Sequence, residues 1–215
     1  MLKKNKIKLF ITSALILLPV LVGVFLWNEL PEKVITHWNS QGIADGWSDK
    51  RTAVFIIPVL LLIFHLICVG ITFFDPKNKN INNKILTVVL WICPIISLLC
   101  SSLMYTAALG IELRINVIMP MFIGLLFIII GNYLPKCKQN HTVGIKVPWT
   151  LNDDENWNKT HRFAGTLWVI GGAIISITSF LENFTVFIII TFIMAIVPII
   201  YSYLHYKSNK DDIKN

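Results

Sequence analysis

Residues Phe184–Leu204 read FTVFIIITFIMAIVPIIYSYL, without one Asp, Glu, Lys or Arg. A helix rises 1.5 Å per residue, so about 20 apolar residues cover a hydrocarbon core of about 30 Å, and this stretch is read as a membrane-crossing helix. Five stretches of the same kind precede it: Leu9–Trp27, Thr52–Phe74, Ile85–Leu109, Ile115–Leu134 and Phe163–Leu181. None holds a charged residue, each of which would cost about 2.5–3.5 kcal/mol at a helix centre. Pro19, Pro58, Pro94, Pro120 and Pro198 are compatible with membrane helices, where neighbours satisfy the freed carbonyls. The expected fold is all-α, a polytopic bundle of six transmembrane helices.

The composition agrees. Of 215 residues 55% are hydrophobic and 14% charged, against about 25% charged in soluble domains. This excludes a water-soluble globular domain, a disordered chain and a disulfide-stapled secreted fold. Cys68, Cys93, Cys100 and Cys137 form no C-x-x-C pair and are read as small hydrophobes rather than a metal or disulfide framework. The net charge of +7 is read as orientation and attraction to anionic lipid, with no direct nucleic-acid binding. Fifteen Lys and Arg fall in the N-terminus, 75–84, 135–162 and the C-terminal tail, against four in 28–51, 110–114 and 182–183. The positive-inside rule therefore predicts both termini in the cytoplasm, with 28–51 outside and 135–162 inside. Lys3, Lys4, Lys6 and Lys8 resemble a signal-peptide n-region. The following apolar run is too long, however, and Phe25-Leu26-Trp27-Asn28 offers no small-x-small cleavage pattern, so a permanent helix is expected. The chain divides into 1–75, 76–134, 135–207 and a polar tail, 208–215, expected to be flexible.

Two connections exceed the usual 2–8 residues of helix bundles. In 28–51, Val34–Trp38 is β-prone, while Gly42 and Asp45-Gly46 signal turns. Trp38 and Trp47 suit the headgroup layer, where they would anchor a re-entrant loop. His37, Asn39, Asp45 and Asp49 add polar groups that an anchor does not need, which favours a binding surface. The single histidine and two carboxylates fit no metal-ligand template, so no metal or other cofactor is expected. In 135–162, Pro148 biases Val147 to extended geometry. Thr150 or Asn152 is expected to cap a new helix, Asn152 pairing with Glu155 in a capping box. Glu155 and Lys159 form a well-oriented i,i+4 pair. The helix should run unbroken into the fifth span, with Trp157, His161, Ala164 and Trp168 along one packed stripe.

His65 is the one ionisable residue placed mid-membrane, with a carbonyl, Ser97 or Ser101 expected as its partner. The spans contain no H-E-x-x-H, no G-x-S-x-G and no paired carboxylates, so an enzyme is not expected. The absence of Asp and Glu from the spans also removes the usual relay of an ion-coupled transporter. A ligand- or partner-binding membrane protein is the stronger reading, with a small-solute or lipid transporter or flippase as the alternative.

The residues also carry a resemblance. Pro31-x-x-Val34-x-x-His37-Trp38-Asn39-x-x-Gly42-x-x-Asp45-x-Trp47-x-x-Lys50 resembles the N-terminal extracytoplasmic module of the SdpI immunity family. Gly144-Ile145-Lys146-x-Pro148-Trp149-Thr150-Leu151, followed by Asn156-Trp157-x-Lys159-Thr160-His161-Arg162-x-x-Gly165, is similar to its cytoplasmic signature. Lys146 departs from the arginine expected there, keeping the charge but losing the bidentate fork. The resemblance implies a bacterial plasma-membrane protein giving immunity to a secreted peptide toxin of the cannibalism type. It also implies a receptor role, in which a cytosolic winged-helix repressor is held at the membrane. On that reading His37, Trp38, Asn39, Gly42, Asp45, Trp47 and Lys50 face the toxin. Gly144, Pro148, Trp149, Thr150, Trp157, Thr160, His161 and Arg162 serve signalling.

Overall fold

The structure, a computed structural model, describes residues 2–77, 79 and 81–212. Six of its helices are long and apolar enough to cross a membrane, in agreement with the sequence. Two compact units are present, Met1–Phe73 with Leu86–Ile115 and Phe74–Ile85 with Asn116–Asn215.

The first unit holds α1 (Leu2–Phe25), strands β1 (Lys33–Trp38) and β2 (Ala44–Asp49), α2 (Ile57–Phe74) and most of α3 (Asn83–Ala108). A π-helical turn, Thr52–Ile56, opens the second span. Pro58, which has no N–H to donate, lies two residues beyond it, and the wider turn absorbs the missing bond. Val34 reaches inward from β1 into a buried cluster of Leu30, Ala53, Val54, Met104 and Tyr105. Polar groups inside this unit are matched between helices. Tyr105 donates its hydroxyl to the Pro19 carbonyl at 3.0 Å, and Ser97 donates to that of Ile16 at 2.9 Å. The expected partnership of His65 is therefore corrected. Ser97 is engaged on α1, and His65 Nε2 instead meets Thr12 Oγ1 at 3.3 Å. Thr12 spends its own proton on the Lys8 carbonyl (2.9 Å), so the imidazole is the donor in that pair.

The second unit holds α4 (Ile115–Tyr133, whose first residue belongs to the other unit), short α5 (Pro148–Asn152), α6 (Asp154–Thr178) and α7 (Phe184–Asp212). Helices α4 and α6 cross closely at two glycine pairs. A Cβ on Gly131 would meet the Gly165 carbonyl at 2.9 Å, and one on Gly124 would strike Ser176 and the Gly172 carbonyl. Small residues let membrane helices approach at backbone distance. As expected, α6 enters the fifth span without a break. The last helix continues to Asp212, so the segment assigned to a tail begins as helix, and its residues 213–215 lie outside those described.

A hairpin and a buried elbow as the candidate functional site

The hairpin owes its turn to Asn39. Its side-chain oxygen accepts the amides of Gln41 and Ile43, both at 3.0 Å, and Gly42 takes the left-handed conformation, φ 76°. This Asx turn closes β1 onto β2. The Asp45-Gly46 turn signal is accordingly misplaced. Both residues lie inside β2, and Gly46 is opposite His37, whose Cβ would lie 2.8 Å from a Cβ at 46. One face of the hairpin is stapled by the Lys33–Asp49 ion pair at 2.7 Å and the His37–Asp45 hydrogen bond at 2.5 Å. Ile35 pairs with Trp47 between them. The Asp49 carboxyl is held below the usual carboxylate range by the hydrogen bond and charge of Lys33. Trp47 is 55% exposed and Ile43 63%. Trp38 is half-buried against the core cluster.

Lys50 does not face outward with them. It is 7% exposed, and its ammonium donates to the carbonyls of Leu30 (2.9 Å) and Trp27 (3.2 Å) beyond the end of α1. Glu32 lies 3.1 Å away and the Trp27 ring centroid 5.0 Å. The lysine thus ties the exit of the first span to the entry of the second.

The elbow at 136–161 is built around fully buried polar side chains. Asn140 accepts the amides of Thr142 (2.8 Å) and Val143 (2.7 Å) and donates to the carbonyls of Lys138 (2.8 Å) and Val143 (3.0 Å). Trp157 donates its indole N–H to the Cys137 carbonyl at 2.6 Å and stacks on His161 with centroids 4.0 Å apart. His161 Nε2 accepts the Ile145 amide at 2.9 Å, so its proton sits on Nδ1, 2.8 Å from the Trp157 carbonyl. That is a neutral ring with both nitrogens used. Gly144 passes over this stack at φ 124°. Thr150 accepts the Val147 amide (3.1 Å) and donates to the Ile145 carbonyl (2.8 Å). It therefore closes α5, and the cap of α6 is Asp153, which accepts the amides of Glu155 (2.8 Å) and Asn156 (3.2 Å). This corrects the expected cap by one residue from Asn152, because the extended backbone at Asp153 separates two helices. The Glu155–Lys159 pair forms at 2.7 Å. Thr160 and Ser202 both donate to Asn156 Oδ1, and Asn156 in turn donates to the Ser202 carbonyl at 2.9 Å, joining α6 to α7. Trp149 meets Tyr203 edge-on and Tyr206 face-on. Pro148 and Arg162 are exposed.

The family model described as the SdpI/YfhL protein family matches residues 136–202, and that of a domain of unknown function (DUF1648) matches 14–62. The chain is 32% identical over 213 residues to the Immunity protein SdpI of Bacillus subtilis (strain 168), covering 95% of this chain and 97% of that one. The chain belongs to the SdpI family. No solved structure matches it.

Within this SdpI-family chain the two matched regions are the two built features, the hairpin with its flanking helices and the elbow with α6 and α7. The six spans and the relationship make it a multi-pass cell-membrane protein. Sequence reasoning passed over Asn140, Ser202 and Asp75, and Asn156 entered only as part of the signature. For Asp75 the Asp75-Pro76 pair was a usable turn signal. The Asp75 carboxylate accepts the amides of Lys77 (2.7 Å) and His141 (2.8 Å) and the hydroxyl of Thr142 (2.5 Å). Burial pushes its pKa up, but the Thr142 hydroxyl and the two amides outweigh that and hold it below the usual carboxylate range. Burial also pushes the Cys137 thiol up to about 11, leaving it unreactive.

A pH dependence follows for the elbow. A depressed carboxylate pKa contributes stability that is fully present above the unfolded value of about 4 and is lost as pH falls through the folded value. The melting temperature of the detergent-solubilised protein is expected to drop as the pH falls below about 4. Asp75→Asn should be less stable at pH 7 and should show a shallower acid decline. An unchanged slope in Asp75→Asn would remove the carboxylate from this role.

Proposed function

We propose that this protein protects its cell from a secreted peptide toxin. The carrying observation is the relationship to an immunity protein along nearly the whole chain, together with a hairpin that presents an exposed aromatic residue on a stapled scaffold. In this reading both termini are cytoplasmic, which puts the hairpin at the outer headgroup layer. There Trp47 and Ile43 meet an amphipathic peptide before it inserts, and Asn39, Gly42 and Lys50 hold the hairpin in shape. The receptor role belongs to the elbow. Thr150, Trp157, Thr160 and His161 are enclosed and act as its rigid frame. Pro148, Arg162 and the partly exposed Trp149 form the surface a winged-helix repressor would touch.

The test is deletion of the gene from its own host and challenge with the peptide fraction of the parent strain's spent medium. Deleted cells are expected to lose viability and to regain it with the wild-type gene. His37→Ala and Trp47→Ala, at equal membrane levels, should restore it incompletely. Survival of the deleted cells equal to that of the parent would refute immunity.

A further inference from the structure

Next to the hairpin the first unit carries an open depression of about 360 Å³ between β1 and the end of α3. Ile35 and Trp38 form one wall, and Ala107, Gly110, Ile111 and Leu113 the other, with Glu112 beside them. A second groove of about 350 Å³ lies between α1 and α3, lined mainly by leucines 18, 26, 98 and 109 with Tyr105 and three hydroxyl residues. The two share one helix end. Thr106 and Leu109 line the second, while their neighbours Ala107 and Gly110 line the first. Cavities of this size hold several apolar side chains.

Charge decides what fits. The segments 28–51 and 109–115 contain five acids and four bases, whereas the whole chain has a formal net charge of +7. Asp49 and Glu32 are matched by Lys33 and Lys50, and Asp45 is hydrogen-bonded to His37. Glu29 and Glu112 have no ion pair among the described residues, and both are exposed. An unmatched carboxylate at the rim of a depression walled by Ile35, Trp38, Ile111 and Leu113 repels phosphate headgroups and attracts cations.

Resting on the immunity reading, we infer that this depression is the toxin-binding site. It takes apolar side chains of a cationic amphipathic peptide, whose positive flank lies against Glu112. Trp38, half-buried in the wall, is then the contact residue of the motif, and Trp47 on the stapled face guides approach.

Two experiments test this. In the deleted host, Ala107→Trp fills the depression and Glu112→Lys reverses its charge. Each is expected to lower the toxin concentration that halves survival by about tenfold, the scale of one lost interfacial contact. Glu112→Gln should fall between Glu112→Lys and the wild type. Full protection by both variants at wild-type membrane levels overturns the site while leaving immunity standing. Failure of the wild-type gene to protect overturns immunity itself. Independently, purified protein carrying p-benzoylphenylalanine in place of Leu113, in zwitterionic nanodiscs, is irradiated with a synthetic amphipathic helix of Leu and Lys or with its Leu and Glu counterpart. Crosslinking of the Lys peptide alone supports the proposal. Crosslinking of both peptides equally, or of lipid only, overturns it. This second readout does not depend on survival, so it still decides should Ala107→Trp fail to fold.

Discussion

Gly144→Ala is expected to lower the melting temperature of the solubilised protein more than any other single methyl addition in the elbow. Two costs add. The backbone at Gly144 has φ 124°, a conformation that side chains adopt only with about 1–3 kcal/mol of strain. The new Cβ would also strike His161 Nε2 and crowd the Trp157 ring at 3.0 Å. Overpacking of a closed site costs about 1–3 kcal/mol. Relief by moving His161 sacrifices the Ile145 amide bond, a further ~1 kcal/mol. A total of about 3–7 kcal/mol is a large share of a typical folding free energy of 5–15 kcal/mol. The measurement is loss of the monodisperse peak after heating, followed by size-exclusion fluorescence. His161→Ala in the same chain removes the obstacle but not the strain, so the double variant should be less destabilised than the sum of the singles. Simple additivity, or a wild-type melting curve for Gly144→Ala, would show that the glycine is not required by this contact.

Much of this architecture was legible in the order of residues. Uncharged runs set the six spans because a bilayer tolerates little else, and the i,i+4 spacing of Trp157 and His161 put both on one buried stripe. Glu155 and Lys159 met as their spacing required. Local chemistry was less decisive where two signals competed. Asp45-Gly46 is a strong turn pair, yet Asn39 with Gly42 closed the chain first, and the later pair was drawn into β2. The cap of α6 moved to Asp153 for a similar reason, since Thr150 was already occupied closing α5. Long-range polar matches were not legible. Nothing near Asp75 in sequence announces that its carboxylate will hold the amide of His141, and nothing near Asn156 points to Ser202. Such pairs are set by how helices meet, after the apolar pattern has already been satisfied. The connection at 110–114 was passed over as a short linker, although it supplies one wall of the depression beside Trp38. Its residues carry no motif, and only the fold gives them neighbours.

Lys50→Met tests the same distinction between an exposed charge and a structural one. A lysine at a membrane interface ordinarily sends its ammonium to water, and its removal would then cost less than about 0.5 kcal/mol. Here the ammonium satisfies the carbonyls of Trp27 and Leu30 in a site almost closed to solvent. Methionine keeps the stem's bulk but offers no donor, and each buried acceptor left unpaired costs about 1–3 kcal/mol. The expected loss is therefore about 2–6 kcal/mol, concentrated where α1 hands over to the hairpin. Hydrogen exchange should accelerate across 26–49 while the amides of 139–161, which belong to the other compact unit, keep their protection. Lys50→Arg should be intermediate, because a planar guanidinium does not reproduce the geometry of a compact ammonium bridging two carbonyls and Glu32. If Lys50→Met exchanges like the wild type, the lysine is a surface charge and the hairpin is held by its apolar cluster alone. If exchange rises at the hairpin and protection against toxin falls with it, the rigidity supplied by one inward-facing lysine is part of what presents Trp38 and Trp47 to the ligand.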